Sequence, residues 1–370
     1  MIDRRLVQHF DWVLLGLTVI LGAIGILALY STVSADADMA GSGRVVYLKQ
    51  LYWFGIGLAF MVVMFLFNYR RLNQWASAIY TFSIILLVCV IFLGKEVSGS
   101  KRWLMLGAFS FQPSELTKIA IVVMLARYFS DRISEKGFTL KRLWKPLIWM
   151  FIPFALIAKQ PDLGTSLIVV LTAATMIMFS KIERRSLICL IATGALSCSV
   201  AWFFLKGYQK KRILAFLSPG TDPLGAGYHI IQSKIAVGSG MLFGKGFLKG
   251  TQNVLSFLPE QHTDFVFSVL AEQWGFIGSA VVVALYLSLV IWGLGIAISS
   301  KEPFGTMLAV GITSIIFWQV FINIGMTLGL LPVVGVPLPL ISYGGSSLVS
   351  TMIGVGLLAN ISMRRFLFKN

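Results

Sequence analysis

Long apolar runs broken by short polar joints set the rhythm of this chain. Ten such runs lie at about 11–31, 50–68, 75–94, 113–130, 143–159, 164–181, 186–206, 274–298, 305–329 and 345–363, each near the ~20 residues that a helix needs to cross a hydrocarbon layer. Apolar runs of that length predict spanning helices rather than strands. The expectation is therefore an all-α polytopic membrane protein, a single domain over 1–370. The ninth and tenth runs hold Gln319, Asn323 and Asn360, polar enough to line an interior. One interruption is unlike the others: the polar segment of about 207–263, before the eighth helix. A connection of more than ~50 residues is uncommon and usually functional or disordered. Its aromatic, aliphatic and glycine content predicts order. No cleavable signal is expected, because the first run is long enough to span and no small-residue cleavage site follows it.

Composition agrees. Of 370 residues 57% are hydrophobic and 12% charged, against roughly a quarter charged in soluble domains. The 31 Lys and Arg outweigh the 15 Asp and Glu, for a net charge of +16. An even number of spans puts both termini on one side. With that side cytoplasmic, the inner ends collect Arg4, Arg5, Arg70, Arg71, Arg127, Arg132, Arg142, Arg184, Arg185, Arg364 and Arg365. The short outer loops hold fewer cations, as the positive-inside rule requires. Most of the basicity is thus an orientation signal and no footprint of nucleic acid. The surplus falls on the long segment, at Lys206, Lys210, Lys211, Arg212, Lys234, Lys245 and Lys249. Such an excess predicts an anionic ligand, phosphate or pyrophosphate; anionic headgroups are the plainer alternative. Cys89, Cys189 and Cys198 fall in apolar runs as small hydrophobes. With no disulfide or metal spacing and few histidines, no protein-ligated zinc site is expected.

Candidate chemistry gathers where the long segment returns to the eighth run, at Leu258-Pro259-Glu260-Gln261-His262-Thr263-Asp264-Phe265. A helix opening near Thr263 would place Asp264, Ser268 and Glu272 on one face, with Thr263 as its cap. An acid there suits the helix dipole. It also suits a general base whose pKa is raised by partial desolvation. Glu272 lies deeper, where an ionisable group is costly and a functional candidate by default. His262 would point elsewhere on such a helix, and no Ser-His-Asp arrangement is expected.

Other charges open other runs. Pro113 starts a helix on which Glu115 and Lys118 can pair at i, i+3. Asp162, in Gln160-Pro161-Asp162-Leu163-Gly164, either caps a helix or serves a site. Lys101 and Arg102 lie on an outer loop. Pro332, Pro337, Pro339 and the run Ser342-Tyr343-Gly344-Gly345-Ser346 read as non-helical backbone, which at membrane depth borders protein or a cavity. The glycines at 238, 240, 244, 246 and 250 make no phosphate loop, because Lys245 is followed by Gly246 rather than Ser or Thr. They read as turn and close-approach positions.

Several of these motifs, in this order, carry a resemblance. They are Phe111-Gln112-Pro113-Ser114-Glu115-Leu116-Thr117-Lys118, Gln160 to Ser166, Asp222 to Lys234, Leu258 to Phe265, and Val334 to Ser346. The chain resembles the SEDS family (shape, elongation, division and sporulation), on its RodA side, over nearly the whole length. Gln273 departs from the family pattern, where a second acid would follow Glu272. The resemblance implies ten transmembrane helices in the bacterial inner membrane and peptidoglycan glycosyltransferase activity on lipid II. It also implies an essential aspartate in the large extracytoplasmic loop, which maps onto Asp264. The implied partners are lipid II and lipid-linked glycan, a class B penicillin-binding transpeptidase and rod-complex proteins, with no nucleic acid.

Both lines lead to one expected chemistry. Asp264 accepts the proton of the acceptor 4-hydroxyl. Undecaprenyl pyrophosphate leaves, clamped by Lys101, Arg102, Arg212 and Lys234 with or without a divalent cation such as Mg or Mn; no motif for a bound cofactor is recognisable. Glu115, Lys118 and Asp162 would shape the polar cavity, with Glu260, His262, Glu272 and Ser342 completing the substrate site. Two other readings stand beside it: a lipid II flippase, which would use the same polar intramembrane residues as a headgroup path, or a non-catalytic scaffold for the transpeptidase, which needs no buried charge.

Overall fold

The computed structural model describes residues 10–34, 43–97, 100–106, 109–132, 137–221, 225–251 and 261–364. A helix lies over each predicted run: α1 Trp12–Ser34, α2 Gly43–Leu66, α3 Arg70–Leu93, α4 Pro113–Ser130, α5 Leu140–Lys159, α6 Leu163–Phe179, α7 Arg184–Phe204, α10 Val266–Ser299, α11 Pro303–Thr327 and α12 Gly345–Arg364. Among the described residues, α1, α2, α3, α10, α11 and α12 are long and apolar enough to cross a membrane; α6 is apolar but shorter.

Two expectations change. The polar segment before α10 carries helices of its own, α8 Gly207–Leu217 and α9 Ala226–Ser239, joined by a single 3-10 turn at Pro219–Thr221. A small antiparallel sheet also breaks the all-α expectation. It is formed by β1 Lys95–Val97, β2 Ser100–Leu106 and β3 Phe109–Phe111, in the order β1-β2-β3. Trp103 stands opposite Lys95, and Leu104 opposite Phe111. Aromatic residues favour such pairing, but strands of three residues are too short to show as an alternating pattern.

The bundle is inverted relative to a soluble domain. Trp12, Phe92, Phe151, Phe203 and Ile298 are exposed on its flanks, the pattern of helices that face hydrocarbon. Its centre holds α4, α11 and α12, with Glu115, Lys118, Gln319, Asn323 and Asn360 all buried. Buried polar groups must be paired, and several of these pairs tie helices together. Asn360 donates to the Met64 and Phe65 carbonyls at 2.8 and 2.7 Å, closing the end of α2. Asp11 accepts from the Leu14 amide at the start of α1, from Trp292 of α10 at 2.9 Å and from Ser362 of α12 at 2.8 Å. Close by in sequence, Tyr69 donates to Glu302 at 2.7 Å, and Arg70 pairs with the same carboxylate.

Candidate active site

The site is built on an interruption. Helix α10 breaks at Gly275, with φ 68° and ψ −164°, a conformation open essentially to glycine alone. A break frees backbone groups that cannot go unpaired. The loop 240–250 supplies the partners. Lys245 N donates to the Glu272 carbonyl at 3.0 Å and Gly246 N to the Gln273 carbonyl at 3.1 Å, while Phe276 N and Ile277 N donate to the Met241 and Leu242 carbonyls at 2.8 and 3.1 Å. Such an approach needs a bare backbone: a Cβ on Gly244 would lie 2.1 Å from the Gln273 carbonyl oxygen. Gly240, Gly244 and Gly250 are thus close-approach positions and Gly246 a turn position with φ of 99°, while Gly238 has open space. One side-chain clasp seals the joint. Lys245 Nζ lies 2.7 Å from Glu272 Oε1, which also accepts from Thr251 at 3.1 Å. Glu272 is wholly buried, so its charge is answered by this clasp. Gln273, where an acid was expected, accepts from Ser31 of α1 at 2.8 Å.

Asp264 lies just before α10, not on it. The helix opens at Val266 with Phe265 at its N-cap, so Thr263 is no cap and the shared face of Asp264, Ser268 and Glu272 does not form. Ser268 instead meets Ser233 of α9 at 2.7 Å. Residues 261–265 form a turn, with Gln261 and Phe265 buried and His262, Thr263 and Asp264 half-buried between them. This turn is tied to the non-helical segment 332–344 by its backbone. Tyr343 N donates to the His262 carbonyl at 2.9 Å, Ser342 Oγ donates to the Thr263 carbonyl, and Asn323 Nδ2 donates to the Asp264 carbonyl at 2.9 Å. The Ser342 hydroxyl also receives the Leu338 amide at 2.8 Å. His262 Nδ1 lies 3.1 Å from Thr32 Oγ1 of α1. Burial pushes the Tyr343 phenol pKa up, keeping it neutral.

With its backbone fixed, the Asp264 carboxylate faces Gly335. A Cβ there would lie 3.3 Å from Asp264 Oδ2, and φ of 74° disfavours any side chain. On the other side of the same strip, a Cβ on Gly164 would meet the Val334 carbonyl at 2.7 Å. Gly164 belongs to the first turn of α6, which Asp162 caps by accepting from Thr165 N at 3.1 Å. Asp162 also accepts from Gln112 at 3.1 Å and lies 3.9 Å from Arg102, whose guanidinium donates to the Gln160 carbonyl at 3.3 Å. The capping role weighed for Asp162 is thus present, together with a cationic neighbour.

The remaining candidates divide. Arg212 of α8 is exposed and donates to the Val333 carbonyl at 3.3 Å, beside the Asp264 strip. Lys234 of α9 is exposed, with its Cε against Gly329 at the end of α11. His229 of the same helix stacks on Phe265 at 6.0 Å, which packs α9 against the turn. Lys101 is exposed on β2. Glu260 lies outside the described residues. Glu115 and Lys118 form a separate buried pair, 2.9 Å apart, with Ser350 donating to Glu115 at 2.6 Å. Their cavity, of about 10 Å³, has room for about one water. Among the described residues no group of three or more His, Cys, Asp or Glu side chains could hold a metal. Sequence reading missed the role of Asn323, whose only signal was an amide in an apolar run.

Residues 11–366 match the FtsW/RodA/SpoVE family, described as cell cycle protein. The chain is 43% identical over 358 residues to the peptidoglycan glycosyltransferase MrdB of Escherichia coli strain K12, covering 96% of this chain and 94% of that one. It also superposes on a chain of a peptidoglycan synthase complex in which polymerization and crosslinking are structurally coordinated. That TM-score is 0.81, at 30% identity, over 98% of this chain and 99% of the other. The rod shape determining protein RodA of Thermus thermophilus gives a TM-score of 0.70 at 28% identity, over 96% and 98% of the two chains.

Proposed function

This chain belongs to the FtsW/RodA/SpoVE family, and from that premise we propose that it is a RodA-type enzyme polymerising lipid II into glycan strands during cell elongation. It is a peptidoglycan glycosyltransferase. One observation carries the finer reading: a half-buried carboxylate, Asp264, on a turn tethered through three successive carbonyls and facing a bare glycine. Cations approach the same strip from two sides. Arg212 comes from α8, and Arg102 comes beside the Asp162-capped start of α6.

The acceptor is the 4-hydroxyl of lipid II N-acetylglucosamine, and the donor is a glycan chain on undecaprenyl pyrophosphate. A sugar hydroxyl is a weak nucleophile. Asp264 takes its proton as it attacks the anomeric carbon, and the bond to pyrophosphate breaks. Arg102, Arg212, Lys234 and Lys101 stabilise the charge on the departing diphosphate, which brings any divalent cation with it. A single displacement inverts the anomeric centre without a covalent sugar-enzyme intermediate. Ser342 and His262 position the catalytic turn, and Glu272 holds the α10 joint. Glu115 and Lys118 stiffen the core.

The chain is a single domain with ten membrane spans in the inner membrane. Both termini are cytoplasmic and the segment 207–263 is outside. A class B penicillin-binding transpeptidase and the rod-complex proteins are its partners; the solved synthase complex it resembles supports a crosslinking companion. A flippase would need a polar route to the inner face, and the closed Glu115–Lys118 pair argues against that reading.

The test uses the purified full chain in lipid with labelled lipid II. Parent protein makes polymer. Asp264→Ala and Asp264→Asn lose at least ~100-fold in rate, the lower bound for removing a general base. Parent-like polymerisation by both variants would exclude this mechanism. Lipid scrambling across vesicles without polymer would point to the flippase.

A further inference from the structure

We infer that Asn323 is a positioning residue for the Asp264 carboxylate, an inference that rests on the reading of Asp264 as the base. Asn323 lies within α11 and is wholly buried. Its Nδ2 has two protons and two acceptors: the Asp264 carbonyl at 2.9 Å and the Val336 carbonyl at 2.7 Å. One amide thus joins the backbone of the base to the strip that faces it. Val336 is next to Gly335, the residue the carboxylate faces.

The other two tethers of the turn do not duplicate this bond. Tyr343 N and Ser342 Oγ hold the carbonyls of His262 and Thr263. Without Asn323 the peptide following Asp264 loses its hydrogen bond to α11, and the link from that carbonyl to Val336 is cut. The carboxylate can then swing relative to Gly335. Displacements of about 1 Å are enough to cost on the order of 100-fold in a reaction that depends on alignment. The side chain chosen here also follows from its hydrogen bonding: only a planar NH2 offers two donors and no charge to two carbonyls. Aspartate has the same shape and would set oxygen against oxygen.

Asn323 touches no reacting atom in this scheme, so its removal should act on turnover rather than on substrate binding. The experiment measures lipid II polymerisation by full-length protein in lipid for parent, Asn323→Ser, Asn323→Ala and Asp264→Ala, with kcat and KM resolved and thermal unfolding recorded for each. Serine keeps one donor and alanine none. The expected order in kcat is parent, then Ser, then Ala, with Ala down 10- to 100-fold and KM for lipid II within about threefold throughout. The pH dependence of kcat should also move in the Ser variant, because a loosened carboxylate no longer holds its environment. If Ala does not fold, Ser decides: reduced kcat at unchanged KM and a moved pH profile support the inference. Parent-like kcat in a folded Ser or Ala variant overturns it while Asp264→Ala remains inactive. A loss in kcat with an equal rise in KM and an unmoved pH profile marks a merely structural residue and overturns it too. Full activity of Asp264→Ala would overturn the reading of the base itself, and this inference with it.

Discussion

A carboxylate in this protein takes its meaning from what lies opposite it. Asp264 faces a glycine and is half open, Asp162 is buried among donors at the head of α6, and Glu272 is buried against Lys245. Of the three, only Asp264 is half-buried rather than buried. Glu302 offers a separate test of local charge. Burial alone would raise its pKa, but the Arg70 and Tyr69 hydrogen bonds outweigh it and hold the group below the ordinary carboxylate value. A group so depressed stabilises the fold above its unfolded pKa, and that contribution is lost as pH falls through its folded value. Thermal unfolding of the detergent-solubilised protein should therefore drop more steeply below about pH 4 in the parent than in Glu302→Gln. Equal slopes would show that the pair does not contribute. In sequence, Asp264 is legible because it stands where a polar segment turns apolar. Asn323 is not legible as its support, since the two are 59 positions apart and only packing brings them together.

Helices were easier to read than their ends or their joints. The pattern of apolar runs finds every long helix but starts α10 at about 274, because its first turns carry Ser268, Glu272 and Gln273 and so look like loop. The opening expected near Thr263 is three residues early; the start at Val266 is set by tertiary bonds of the turn 261–265 that no window of hydropathy can see. The same holds for α8 and α9, which are too polar to register as spans. The loop that follows α9 is anchored at the joint at Gly275, and the Lys245–Glu272 clasp is its side-chain component. Removing one partner of a buried pair leaves the other charge uncompensated, at a cost of about 3 kcal/mol. Lys245→Ala should lower the unfolding midpoint accordingly. Lys245→Ala combined with Glu272→Gln, which removes the stranded charge, should recover part of the loss. A single variant as stable as the parent would mean that the backbone bonds alone hold the loop.

At the scale of the whole molecule, the charge pattern and the packing describe the same object. Cations crowd the ends of helices, the flanks are greasy, and polar pairs sit at the centre. The orientation read from those cations can be checked directly in a variant whose native cysteines are replaced. Lys249→Cys should react with a membrane-impermeant maleimide from outside intact spheroplasts, and Arg142→Cys only after permeabilisation. The reverse pattern would invert the proposed topology. The strands between α3 and α4 escaped the reading because β1 and β3 have three residues each and β2, Ser100–Leu106, runs from polar to apolar without alternating.

The interruption at Gly275 has a consequence for how such a protein lives in a bilayer. Val266 to Gln273 are all surrounded by protein, whereas Phe276, Ile277 and Val281 are exposed on the flank of the bundle. A continuous rod would carry any lean of its lower shaft straight to its tip, and helices do lean as membranes thin or thicken. Here the ladder of amide bonds is cut, and the upper stub is bolted sideways to its own chain. The same loop, 240–250, also accepts from Phe276 N and Ile277 N on the shaft, so any lean of the shaft meets that loop before it reaches the stub beside Asp264.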